Sequence, residues 1–439
     1  MNIAVLGAGI GGLAAAYDLV KAGNQVVIYE AEDYVGGLAA GFKEPHWDWS
    51  LERYYHHWFA TDKYILGLIR DLGWQDKVIF PRPYTVVYYK DRFYPLDSVT
   101  SAILFPGLGF GLRKARFGLV TLFLRLTNNW KGLEQYTVDQ WMRKWGGDQN
   151  YEMMWEPLVV GKFGAHYAKQ VNMAWMWARL KARTNRLGTF QGGFQAFADQ
   201  FADKLKTMGV ALHISTPVTM LSPSAEGGID VTTLQGKRHF DQVLATTSPA
   251  MLAQLAPQLP TEYLNSLLEL KSMGAVVMVV ALKHQLSKEG YYWYNLPKSA
   301  GYPFLALVEH TNYLSPEHYG GDHLVYLGDY LETDHEHFTL TEDELLSRFL
   351  PSLSRINPEF KPEWVRKSWL WRTQYAQPVP FLTHSKKIPA ITTPIPGLYF
   401  ASMSQVYPWD RGTNFAVEIG SRAARIMVNK NGGIPSDFL

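Results

Sequence analysis

Ile3-Ala4-Val5-Leu6-Gly7-Ala8-Gly9-Ile10-Gly11-Gly12-Leu13-Ala14-Ala15-Ala16 decides the fold. Four apolar residues suited to a buried parallel strand run straight into a glycine-rich turn and then into an apolar helix face. That face continues through Leu19 and Val20 and ends at Lys21-Ala22-Gly23, where Gly23 is a C-terminal cap. Gln25 to Tyr29 reads as a second strand, with Glu30 at its end. A glycine triplet alone arises by chance in glycine-rich loops. A strand before it, a helix after it and an acid 23 residues beyond Gly7 make this one a dinucleotide-binding βαβ unit.

Each position has a physical task. Gly7 allows the tight turn, Gly9 lets the backbone approach a pyrophosphate, and Gly12 lets helix and strand pack closely. The helix start at Ile10 and Gly11 offers unpaired N–H groups and the positive end of a dipole. Glu30 is placed to accept hydrogen bonds from ribose hydroxyls.

Composition bounds the rest. A chain of 439 residues exceeds the size of one growing hydrophobic core, so two intimately packed domains are expected. Forty-two Lys plus Arg against forty Asp plus Glu leave +2, too little for a nucleic-acid footprint. Cysteine is absent, which removes disulfides, thiolate metal sites and thiol catalysis. His56-His57 lacks helical ligand spacing and Asp334-His335-Glu336-His337 reads as a solvated loop, so no metal is expected. The chain starts into a strand without a signal-peptide pattern, and a cytoplasmic location is the expectation. Residues 101–126 are apolar and glycine-rich before Arg113, Lys114 and Arg116. They fit either a buried helical hairpin with a basic turn or a peripheral membrane contact.

Beyond Glu30 stands Gly36-Gly37-Leu38, and the run Ala4 to Leu38 resembles the flavin-dependent amine oxidase superfamily, which includes protoporphyrinogen oxidases and phytoene-type desaturases. Gly397-Leu398-Tyr399-Phe400-Ala401 and Ala416 to Ala424 resemble that superfamily's returning strand and closing helix. Gly192-Gly193-Phe194 and Thr216-Pro217-Val218 resemble its middle piece. The resemblance implies FAD, held by Gly7, Gly9, Ile10, Gly11, Gly12, Glu30, Gly36, Gly37, Leu38, Val218, Met403, Ser404, Asn414 and Ala416. Two landmarks depart from the pattern. Leu38 replaces an arginine, and Ala401-Ser402-Met403-Ser404 replaces a motif with an acidic ribityl contact.

The expected fold is α/β, a Rossmann-like FAD-binding domain (1–73, 188–265, 390–439) interleaved with an α+β substrate domain (74–187, 266–389). Ile229 to Leu234 and Phe240 to Ala245 are expected to pair as a hairpin, and Thr341 to Glu344 to start a helix with a capping box.

Several relatives have glycines where Tyr54 and Tyr55 stand, so Tyr55, His56 and His57 are the first candidates for proton transfer or flavin contact. Arg372 and Arg411 are candidates for a substrate carboxylate or phosphate. By the same resemblance Met278 takes the place of an amine-oxidase lysine and Gly412 that of a cage tyrosine. Both disfavour a simple amine. Glu156-Pro157-Leu158 and Tyr375-Ala376-Gln377-Pro378 resemble porphyrinogen oxidase and desaturase landmarks. The resemblance thus implies an oxidoreductase that takes a hydride from a C–C or C–N bond of a bulky substrate and passes electrons to oxygen or a quinone-like acceptor. Two alternatives stand beside it. His57 to Tyr64 resembles a segment of UDP-galactopyranose mutases, which are redox-neutral, and a FAD-binding scaffold without catalysis is the third reading.

Overall fold

The computed structural model describes residues 1–182, 184 and 186–428. At its centre is a parallel sheet in the order Ala211–His213, Gln25–Tyr29, Asn2–Leu6, Gln242–Ala245, Leu398–Phe400. Ile3 and Val5 point into one apolar core and Ala4 and Leu6 into another. Burial on both faces is why the first strand is a continuous apolar run instead of an alternating one. The five strands come from three distant stretches of chain, and the fold is the expected mixed α/β architecture with a dinucleotide-binding sheet.

On one face of this sheet, beside helix Gly193–Thr207, lie the helices Ile10–Lys21 and Thr413–Val428. They cross backbone to backbone: a Cβ on Gly420 would collide with the Gly11 carbonyl, and one on Gly11 would stand 3.2 Å from the Ala416 carbonyl oxygen. The C-terminal helix is thereby seated on the glycine loop itself.

A second sheet has seven strands, ordered Val365–Pro378, Ser272–Leu282, His323–Leu331, Ala306–Glu309, Trp293–Asn295, Thr85–Tyr89, Arg92–Pro95. All neighbours run antiparallel except the parallel pair Trp293–Asn295 with Thr85–Tyr89. Alternation along Ser272–Leu282 sends Val276, Met278 and Val280 to one side and Val277, Val279 and Ala281 to the other. A helical layer, including Leu112–Leu126, Val138–Gly146, Glu156–Ala168 and Met173–Ala182, packs around Trp155, Trp175 and Trp177.

Three local expectations can be compared directly. The capping box forms, with Thr341 N–H donating to Glu344 Oε2 at 2.7 Å and Glu344 N–H to Thr341 Oγ1 at 3.3 Å. The hairpin is shifted: Ile229–Thr233 pairs with Gly236–Phe240, while Gln242–Ala245 belongs to the parallel sheet. The apolar Val243-Leu244-Ala245 run is buried on both faces, as a parallel strand requires. Residues 101–126 do not form a buried hairpin, because Phe110 is 87% and Leu112 89% exposed.

The helix crossing gives a paired test. Replacing Gly420 by Ala should lower unfolding stability by about 1–3 kcal/mol through overpacking against backbone. Gly118→Ala, in a helix with open space around the added methyl, should gain up to about 1 kcal/mol. Denaturant melts of the two proteins check both signs.

Candidate cofactor and active site

The glycine loop leaves the first strand at its C-terminal end, where a parallel sheet offers a ligand crevice. Gly7 turns with φ +100°, donating its N–H to the Tyr29 carbonyl at 2.8 Å. The helix then starts at Gly9 without any side-chain cap, so its first amides are left for a ligand. Gly36 N–H donates to the Ala8 carbonyl at 2.9 Å, which brings the second glycine pair against the first. A Cβ on Gly37 would stand 3.1 Å from the Gly9 Cα. Glu30 is fixed at its strand end, accepting from the Ala8 amide at 2.6 Å and the Glu32 amide at 3.0 Å.

These elements border a cleft of about 410 Å³. Gly7, Gly9, Ile10, Gly11, Gly12, Glu30, Gly36, Gly37, Leu38, Met403 and Ala416 all line it. The other three expected cofactor residues are placed elsewhere. Val218 begins the strand Val218–Pro223 outside the lining set. Ser404 is buried with its Oγ 2.7 Å from the Tyr375 hydroxyl. Asn414 Oδ1 accepts the Tyr64 and Ile65 amides at 2.9 and 3.2 Å, holding the start of helix Lys63–Asp71. The hydroxyl-bearing Thr246, Thr247 and Ser248 line the cleft and were not expected. They follow directly on Gln242–Ala245, whose place in the parallel sheet was not read from sequence.

A larger cavity of about 740 Å³ adjoins the cleft, and Tyr55, His56, Tyr330, Arg411, Gly412 and Thr413 line both. His56 Nδ1 lies 2.5 Å from the Tyr54 carbonyl oxygen. A carbonyl only accepts, so Nδ1 carries the proton and Nε2 is the basic nitrogen. Burial pushes the His56 pKa down to about 4, so the ring is neutral at pH 7. Burial raises the Tyr55 phenol well above its ordinary value, and its ring meets Trp293 edge-on at 5.0 Å. His57 lines the larger cavity alone, beside Phe59.

The two arginine candidates separate. Arg411 donates through Nη2 to the Tyr330 hydroxyl at the junction. Arg372 lies on the other face of its strand, donating to the backbone carbonyls of His337 and Leu340, and lines neither cavity. Met278 also points away, into the core that includes Val276 and Val280; Ala275 and Val277 line the cleft instead. Its identity therefore says nothing about the group facing the cofactor. Gly412 does stand at the junction, leaving it without a side chain. Lys162, Arg179 and Asp410 also line the larger cavity, and no spacing pattern in the sequence marked them. Among the described residues no group of three His, Asp or Glu side chains is arranged to hold a metal.

The sequence profile of flavin containing amine oxidoreductases matches residues 10–428. A 15-cis-phytoene desaturase from Synechococcus elongatus is 28% identical over 158 residues, a match that spans 33% of this chain and 33% of the desaturase. The fold is shared with a provisionally named protoporphyrinogen oxidase from Exiguobacterium sp. 255-15, at TM-score 0.77 and 18% identity over 97% of this chain and 98% of the other. It is also shared with reduced UDP-galactopyranose mutase, at TM-score 0.73 and 16% identity over 97% and 93%.

The residues present fit FAD. Bare glycines bound the cleft on two sides, an uncapped helix start opens onto it, and a fixed carboxylate stands where a ribose would lie. At the opposite end Arg411 Nε and Asp329 Oδ1 are buried without a hydrogen-bond partner. The purified protein should be yellow, and Gly9→Trp should fold without colour. Retention of bound flavin by that variant, read from its visible spectrum, would remove the phosphate-loop assignment.

Proposed function

The chain belongs to the family of flavin-containing amine oxidoreductases and is an FAD-dependent oxidoreductase, and from that premise we propose that it removes a hydride from a C–C or C–N bond of a bulky, largely apolar substrate. Electrons then pass to oxygen or a quinone-like acceptor. The observation that carries this reading is the junction at which the cavity of about 740 Å³ opens onto the cofactor cleft beside His56.

Bound FAD supplies the hydride acceptor. The chain's own residues do the rest. Phe105, Phe117, Trp155 and Trp293 wall the cavity and hold an apolar body out of water. Gly412 leaves room for a substrate carbon at the junction. His56 Nε2 takes the proton that departs as the carbon loses its hydride, so the substrate gives up two electrons and two hydrogens in balance. Its low pKa keeps this base unprotonated at neutral pH.

A lipid surface is the proposed source of the substrate. Between residues 98 and 133 there is no Asp or Glu, and Arg113, Lys114, Arg116, Arg125 and Lys131 interleave with exposed Leu104, Phe110, Leu112, Leu119 and Leu126. Phe105 and Phe117 of the same stretch reach the cavity wall. Exposed apolar side chains beside cations suit the acyl boundary and anionic headgroups of a membrane. The contact proposed is peripheral, through 101–126; among the described residues no helix is long and apolar enough to cross a membrane.

Two measurements test these readings. Anaerobic mixing with a panel of bulky substrates should bleach the oxidised flavin, and His56→Ala should slow bleaching by about 10²–10⁴. Activity seen only after prior reduction would favour a redox-neutral mutase instead, and neither response would leave a scaffold. In sedimentation with vesicles, phosphatidylglycerol should retain far more protein than phosphatidylcholine. Phe110→Glu with Leu112→Glu should abolish the difference at unchanged flavin content, and parental binding by that variant would sink the membrane contact.

A further inference from the structure

Three elements bring three cations to one end of the larger cavity. Lys162 comes from Glu156–Ala168, Arg179 from Met173–Ala182, and Arg411 from the turn before the C-terminal helix. Lys162 and Arg179 are each only 8% exposed. Asp410 stands among them: Arg179 Nη1 lies 3.1 Å and Lys162 Nζ 3.9 Å from its Oδ2, and its Oδ1 accepts the Arg411 amide at 3.1 Å. Trp175 Nε1 also donates to Oδ1, at 3.3 Å.

The charges do not balance. Among the described residues three cations face one carboxylate, with Lys162 Nζ also donating to Gln377 Oε1 at 3.1 Å, so positive charge is in excess where desolvation is costly. The other acids near this cavity are engaged elsewhere. Glu152 accepts from Arg143 at 2.8 Å, Asp62 accepts the Phe59 amide at 2.9 Å, and Asp329 is held by Lys298. Lys298 is partly exposed, and Lys90, which lines the larger cavity, is exposed. Arg179 Nε and Arg411 Nε are buried donors with no acceptor. Burial pulls the Arg179 pKa below the usual guanidinium value, whereas at Arg411 burial is outweighed by Tyr330 and Asp410, which hold its pKa above that value. Tyr330 ties the group to the junction, with its hydroxyl accepting from Arg411 and its ring 4.8 Å from Lys162 Nζ.

We propose that Lys162, Arg179 and Arg411 are the seat of an acidic group on the substrate, a carboxylate or a phosphate, so that the compound oxidised is a bulky apolar acid and not a neutral hydrocarbon or an amine. The assignment rests on the reading of this cavity as the substrate's. An alternative occupant of the positive charge is the reduced cofactor itself. Lys162 and Arg179 line the larger cavity and not the cleft, whereas Arg411 lines both. Two of the three cations therefore face the substrate side. Guanidinium forks pair with either oxyanion, and an acid held there would leave its apolar body along the aromatic wall.

The test uses the flavin-loaded protein and three probes that share a ten-carbon chain: decanoate, decyl phosphate and decanol. Binding is followed by calorimetry, with the flavin spectrum as the control for folding. At least one of the two anions should bind about tenfold or more tightly than decanol, as expected of charge-assisted hydrogen bonds in a dry site. The anion that wins identifies the headgroup. Lys162→Met and Arg179→Met should each weaken that anion about tenfold while leaving decanol within about twofold. Arg179→Lys, which keeps the charge, should recover part of the loss and serves if the Met variants fail to take up flavin. Anion affinity equal to that of decanol overturns the proposal. So does parental anion binding in the Met variants, or a change confined to the flavin midpoint potential. Anion binding through Lys162 and Arg179 without bleaching by any substrate would retain the seat and remove the redox reading. Bleaching by neutral compounds without anion preference would do the reverse.

Discussion

The contact on which the rest depends is backbone against backbone at the glycine loop. A Cβ on Gly12 would collide with the Gly7 carbonyl, one on Gly420 with the Gly11 carbonyl, and one on Gly37 would crowd Gly9. Each absent side chain removes the same atoms that would otherwise hold helix, strand and returning loop apart. Because the loop is stripped in this way, its amides are left pointing into a cleft and the C-terminal helix can be laid across it. Cofactor site and domain packing thus share one constraint, and a residue that fills the loop damages both.

The larger cavity is organised by the opposite rule, with bulk where the cofactor cleft is bare. The long strand Ser272–Leu282 is buried on both faces, with Ala275 and Val277 lining the cofactor cleft and Met278 turned to a separate core. Tyr55 then stands at the junction between cleft and cavity with Trp293 packed edge-on against it from the cavity side, and Gly412 leaves its part of the junction without a side chain. Charge in this region is sorted by burial. His56 is kept neutral, the tyrosine hydroxyl of Tyr55 is kept protonated, and the permanent cations of Lys162, Arg179 and Arg411 are gathered around Asp410. A neutral base beside a positive pocket suits removal of a proton and a hydride from a substrate whose own charge lies some distance from the reacting carbon.

The partly exposed stretch 101–126 adjoins these features. Its apolar residues are too many to be ordinary surface scatter, and Phe105 and Phe117 are shared between the stretch and the cavity. An amphipathic acid would meet cations twice on such a route, first at the basic face and then at the buried seat.

Local chemistry explains what was legible beforehand. The glycine loop, Glu30 and the capping box at Thr341 are specified by neighbours a few residues apart, so their residue types alone fixed them, and eleven expected cofactor residues line the cleft. Strand register and sidedness are not local. The hairpin partner is Gly236–Phe240, upstream of the expected strand, Gln242–Ala245 joins the parallel sheet instead, and alternation put Met278 and Arg372 on faces away from the cleft. Distant partners, the helix at Lys63 and the Tyr375 hydroxyl, take the Asn414 Oδ1 and the Ser404 hydroxyl, contacts that the residue types did not announce. Lys162, Arg179 and Asp410 lie far apart in the chain and meet only because two helices and the turn before a third converge. The sequence by itself therefore determined the dinucleotide fold and its cofactor loop, since both are written in contiguous turn and helix-start chemistry. Which charges meet at the larger cavity follows instead from packing between elements that no spacing along the chain records.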